Sequence, residues 1–219
     1  MKEKPDHWSK NELAILNKLI TPYKIQNFLD NCEYNATLDT RSPGYVLKNK
    51  RAHCMEGALF AAACLEHIGF KPLLVDLQAV NDDDHVIAVF RIKNYWGAIA
   101  KSNFTTLRFR EPVYRTLREL AMSYFDFYFN TIGEKSLRGY SLPHNLHKFD
   151  KMNWRTTADD LEDIGYFLDK VRHFPLVNKE QIKGLEIAGK YLLESSMFGS
   201  NPDGLFVPGS KKKISNRVM

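Results

Sequence analysis

Apolar positions in the first thirty residues recur at helical spacing. Leu13, Leu16 and Ile20 follow Ser9-Lys10-Asn11-Glu12, a capping box in which Ser9 and Glu12 satisfy each other's backbone N–H groups. Thr21-Pro22 sets a cap and a first-turn proline ahead of Ile25, Phe28 and Leu29. An N-terminal helical pair over residues 9–32 is predicted. From 35 to 50 the periodicity fails and Arg41-Ser42-Pro43-Gly44 marks a turn, so this stretch reads as loop. A further helix starts at Cys54. Its segment Met55 to Leu65 is rich in alanine, its single Gly57 falls early, and Gly69 suits its C-terminal cap.

Beyond Gly69 the pattern changes to that of strands. Pro72–Val80, His85–Ile92 and Tyr95–Lys101 predict an antiparallel set of three, the last two joined by Lys93-Asn94. Pro112 opens a predicted helix along Val113, Leu117, Leu120, Ala121 and Tyr124, whose aromatic stripe through Phe125, Tyr128 and Phe129 reads as core. Residues 133–153 read as a loop-rich connection. Thr157-Ala158-Asp159-Asp160 caps a helix to about Arg172, Asn178 caps another toward Met197, and 199–209, with Pro202, Gly204 and Pro208, reads as irregular. The expected fold class is α+β in a single domain over residues 1–219. A Cys-bearing helix packs on a small antiparallel sheet in a core of about 41–129, and the helices of about 157–197 flank it.

Composition changes this picture little. With 219 residues, 44% of them hydrophobic, the chain can bury a substantial core, and no apolar run is long enough for a membrane helix. The segment Met1 to Asp6 leads into no apolar run of signal-peptide type. Cys32, Cys54 and Cys64 are an odd set without metal-ligand spacing, so free thiols and a cytoplasmic location are expected, with Cys32 and Cys64 buried and inert. The net charge of +5 owes part of its size to Lys211-Lys212-Lys213, read as a solvated end, and nucleic acid is not an expected partner.

Cys54 carries the candidate chemistry. A cysteine in a helix's first turn sits among N–H groups without intrahelical partners, which favours its thiolate, and Arg51 and His53 add to that field. A thiol nucleophile needs a base, and the base needs a third group to orient it. His85, at the start of a strand after the acidic turn Asp82-Asp83-Asp84, is the candidate base. A two-residue turn at Lys93-Asn94 sets His85 opposite Ser102, and a three-residue loop sets it opposite Asn103; the amide of Asn103 is the favoured acceptor for the ring. His53, Asp84 and Ser102 would support this set. Other clusters read more plainly. His144-x-x-His147-x-x-Asp150 has metal-ligand spacing but a loop context, the Asp82–Asp84 run lacks a calcium loop's glycine and distal glutamate, and Glu111 and Glu119 interleave with Arg108, Arg110, Arg115 and Arg118. No metal or cofactor is expected.

At these residues the chain resembles the transglutaminase-like superfamily, and a bacterial branch of it more than the tissue enzymes. The resemblance covers about Arg41 to Phe129 and rests on Arg51-Ala52-His53-Cys54-Met55-Glu56-Gly57-Ala58, on Asp84-His85-Val86 and on Trp96-Gly97-Ala98-Ile99. It implies a papain-like core with Cys54 as nucleophile, His85 as base and Asn103 as orienting group, acting by acyl transfer or hydrolysis on a peptide or another amide or ester. The superfamily usually has Asp on the strand after the His, where this chain reads Ala100-Lys101-Ser102-Asn103. The rival expectation is a non-catalytic module that keeps the fold for recognition of a protein partner or nucleic acid.

Overall fold

In the computed structural model, which describes residues 8–209, the start signals act as read. The Ser9 hydroxyl accepts from the Glu12 N–H, Glu12 accepts from the Ser9 N–H, and helix α1 runs Lys10–Leu16. Thr21 caps α2, Pro22–Asp30. The stretch read as loop instead holds helix α3, Pro43–Asn49, between two short parallel strands, β1 at Glu33–Tyr34 and β2 at Arg51–Ala52. Ser42-Pro43 is itself a helix start with proline in the first turn, and Lys50 leaves the helix in the left-handed region at φ 50°.

Helix α4, Cys54–His67, is the buried axis of the molecule. Every residue from Met55 to Leu65 is buried, as in a helix that is apolar on all sides. Gly57 is there for close approach: a Cβ on it would collide with the Lys101 side chain, whose Nζ donates to the carbonyl oxygens of Leu29 and Cys32 at the end of α2. Gly69, at φ 96°, turns the chain out of the helix.

The sheet is larger than the three strands expected. β3 (Leu73–Ala79), β4 (His85–Ile92), β5 (Tyr95–Ile99) and β6 (Arg110–Tyr114) precede helix α5 (Leu117–Met122). β7 (Leu137–Ser141), β8 (His144–Asn145), helix α6 (Glu162–Lys170), β9 (His173–Pro175) and helices α7 (Lys179–Lys183) and α8 (Lys190–Ser196) follow. The order is β6-β5-β4-β3-β7-β9 with antiparallel neighbours, and β8 pairs the Leu73 end of β3. The result is an α+β architecture on an antiparallel sheet.

Pro112 does not open a helix. It lies in β6, at the sheet's edge, where a residue without an N–H is tolerated, and the helix starts later with Thr116 accepting from the Glu119 N–H. The predicted helix from Thr157 begins only at Glu162, and the one from Asn178 ends at Gly184 before the chain resumes as α8. Lys211–Lys213 and Met1 to Asp6 lie outside the described residues. β4 is apolar on both faces because both are covered. Val86, Ala88 and Phe90 pack with α2, α3 and α4, whereas Ile87 and Val89 pack with Leu107, Leu120, Tyr124 and Tyr128. Among the described residues, no helix is long and apolar enough to cross a membrane.

Candidate active site

The start of α4 is held by a buried carboxylate. Glu56, fully buried, accepts from Asn35 Nδ2 at 3.2 and 3.0 Å, from the Arg41 N–H at 3.0 Å and from the His53 N–H at 2.9 Å. One side chain thereby fixes the loop 35–41 and the residue before Cys54, using the helix's free N–H end to stabilise its own charge. His53 Nε2 lies 3.1 Å from the Asp39 carbonyl oxygen, so it buttresses the same loop. Cys54 then enters a cavity of about 590 Å³ whose wall also includes Asn35, His85, Asn103, Tyr34 and Tyr128. Asp76, Asp82, Asp83 and Asp84 line it from β3 and the turn into β4, and among the described residues no Lys or Arg does.

The thiol is not activated in the way its position suggested. Burial pushes the Cys54 thiol up to about 12, the Asp83 carboxylate pushes the same way, and the N–H groups of Val86 and Met55 oppose them only in part. Burial, with an acidic wall adding to it, outweighs half a dipole charge at the helix end. Sγ lies 4.0 Å from the Asp84 carbonyl oxygen. Asp84 itself closes the turn, its Oδ1 accepting from the Ala79 N–H at 2.6 Å.

His85 is brought to the same cavity, but from the other face of β4. Its ring shares that face with Ile87 and Val89 and stands edge-on to Tyr124 and Tyr128, each with centroids 6.3 Å away. Its Nε2 lies 2.8 Å from the Leu107 carbonyl oxygen. A carbonyl only accepts, so the neutral ring carries its proton on Nε2 and keeps its lone pair on Nδ1. Burial lowers the imidazole to about 4, with Arg110 adding to the effect and the Leu107 bond opposing it. No hydrogen bond joins Cys54 and His85; the cavity at the end of the sheet is what they share.

The expected third residue is a correction. Lys93 and Asn94, at φ 49° and 70°, form the two-residue turn, and the register Ile92↔Tyr95 to Ala88↔Ile99, carried on, sets His85 opposite Ser102. The ladder ends at Ile99, however. The Ser102 hydroxyl accepts from the Phe104 N–H, and the Asn103 amide is committed to Asn201, donating to its carbonyl and accepting from its N–H, both at 2.8 Å. The ring's acceptor is the main chain at Leu107.

Two residues were missed. Asp76, buried on the helix-covered face of β3 and lining the cavity, takes a 2.8 Å bond from His173 Nε2 on β9. Burial pushes its carboxyl up to about 6 against the pull of His173, and Asp76 raises His173 in turn. An aspartate inside the apolar run Leu73–Ala79 was a legible signal for the first; nothing local marks the second. The other clusters have structural uses. His147 and Asp150 join Arg155 and Glu66 in one ion network, while Arg108 pairs with Asp30 at 2.9 Å and Arg110 stacks on Tyr124. Compared with protein-family models and with curated proteins, the chain matches none.

Proposed function

We propose that the protein is a cysteine-dependent acyltransferase or hydrolase with a papain-like, transglutaminase-like core, working on a peptide or another amide or ester substrate. One observation carries this reading. A thiol at the start of the central helix shares a cavity with a histidine whose Nε2 is fixed by a carbonyl, which leaves Nδ1 as the basic nitrogen. In the reaction the Cys54 proton passes to His85 Nδ1 as Sγ bonds the acyl carbon. The bond to the leaving group then breaks, and Nδ1–H returns its proton to the departing amine or alcohol. Water or an amine attacks the thioester next and restores the thiol. The Cys54 N–H and its neighbours at the helix start are the donors available to the oxyanion.

With the thiol pushed up to about 12 and the imidazole lowered to about 4, the two rest as thiol and neutral imidazole, and forming the ion pair is uphill. Bound substrate has to lower that cost, and a neutral carbonyl orients the ring but stabilises imidazolium less than a carboxylate does. Modest turnover follows. The test is release of the alcohol from a small activated acyl ester, with and without an added primary amine. Turnover that disappears in Cys54→Ser supports the reading, and equal turnover in Cys54→Ser overturns it. One observation favours a binding module instead: the side chain that the resemblance assigns to catalysis, Asn103, grips a peptide backbone.

A further inference from the structure

The chain's own C-terminal segment lies along the candidate active-site cavity. Pro202–Gly204 form one 3₁₀ turn, and residues 202–207 all line the cavity. Asn103 holds Asn201 as one strand residue holds another, engaging both its N–H and its carbonyl. Both groups belong to the main chain, so this grip is indifferent to the side chain at position 201. Three residues on, Gly204 crosses the Tyr34 ring. A Cβ at that point would collide with two ring carbons and lie 3.3 Å from Asn103 Nδ2, so only glycine passes. Beyond it, the Phe206 carbonyl accepts from Thr131 Oγ1 at 3.2 Å and the Gly209 N–H donates to Asn81 Oδ1 at 2.7 Å. The described segment is therefore pinned at three points: before, along and beyond the cavity.

The geometry points to a polypeptide subsite in which Asn103 reads the main chain and Tyr34 requires a glycine three residues later, with residues 201–207 occupying it as an intramolecular stand-in for substrate. This inference rests on reading the cavity as an acyl-transfer site and narrows its substrate to a polypeptide. It also gives Asn103 a role: the residue positions peptide, not the imidazole.

Gly204→Val in the full chain tests it, because the new side chain cannot pass Tyr34. The variant should bind a fluorescent peptide of sequence Ser200 to Gly209 saturably where the parent does not, and maleimide should modify its Cys54 about tenfold faster. Cys32 and Cys64 should stay protected, which reports an intact fold. Asn201→Pro, which removes the N–H held by Asn103, should shift both readouts in the same direction should Gly204→Val fail to fold. Peptide binding that persists in the Cys54→Ser, Gly204→Val double variant separates the subsite from the chemistry: the subsite stands even where Cys54 proves inert. The inference is overturned where neither variant binds peptide or exposes Cys54 beyond the parent, or where a peptide with valine at the Gly204 position binds equally well.

Discussion

Replacing Glu56 by glutamine should loosen the start of α4 more than any other isosteric change near the site. The carboxylate's two oxygens receive donors from Asn35, Arg41 and His53 at 2.9 to 3.2 Å with no solvent to take their place. Glutamine keeps one acceptor oxygen and turns an NH₂ group toward the donors at the other, so either amide orientation forfeits about two charge-assisted bonds at roughly 1.5–3 kcal/mol each. Relief from burying a charge returns part of that, leaving a net loss of ~3 kcal/mol. For a chain of this size the midpoint of thermal unfolding should fall by about 6–12 °C. Urea titrations of the parent and Glu56→Gln measure the difference directly, and Cys54 should alkylate faster in the variant because the loop 35–41 is released from the helix start. A change below about 1 kcal/mol would refute the argument, since it would mean that the buried donors find other acceptors at little cost.

Other outcomes follow from the same geometry. In a background lacking Cys32 and Cys64, the alkylation midpoint of Cys54 should lie above the free-thiol value of about 8.5, and Asp83→Asn should bring it down; a midpoint below 8.5 would contradict the acidic-wall account. Gly57→Ala should cost about 1–3 kcal/mol in urea unfolding, because the methyl group meets Lys101, and a neutral result would mean the helix shifts freely. His85 titrates at about 4 in the fold and near 6.5 unfolded, so its contribution is present above pH 6.5 and is lost as pH falls toward 4, by about 3 kcal/mol. Asp76 and Asp82, raised to about 6, stabilise in the opposite direction over the same range, so the difference between the parent and His85→Gln at pH 7 and pH 4.5 is the informative quantity. Equal pH dependence in the two proteins would count against a buried neutral His85.

What the sequence disclosed about this fold was local. Ser9, Thr21 and Gly69 act within one helical turn of themselves, and Lys93-Asn94 needs only its own two positive φ values, so each was legible from its neighbours. The strands at Leu137–Ser141 and His173–Pro175 were not, because they are short and become strands only by pairing with a distant β3 and with each other. The same distinction runs through the site. Cys54 at a helix start and His85 at a strand start were readable, but the direction of the Cys54 shift depends on how closely Asp83 and the burying walls approach. Counting residues across the hairpin left two registers open, and the choice of Asn103 leaned on the three-residue loop where the turn has two; neither register finds the ring's partner, because the ladder stops at Ile99 and Leu107, beyond the pairing, supplies the acceptor.

The central claim is that Cys54 reacts with acyl carbon because His85 takes its proton. The most direct measurement is intact-protein mass spectrometry after brief exposure to an activated acetyl ester near neutral pH, in the parent and in His85→Gln. The account predicts one acetyl group in the parent, mapped to Cys54 as a thioester, and at least tenfold slower acetylation in the variant. Equal rates in the two proteins, or acetylation at Cys32 or Cys64 instead, would contradict it.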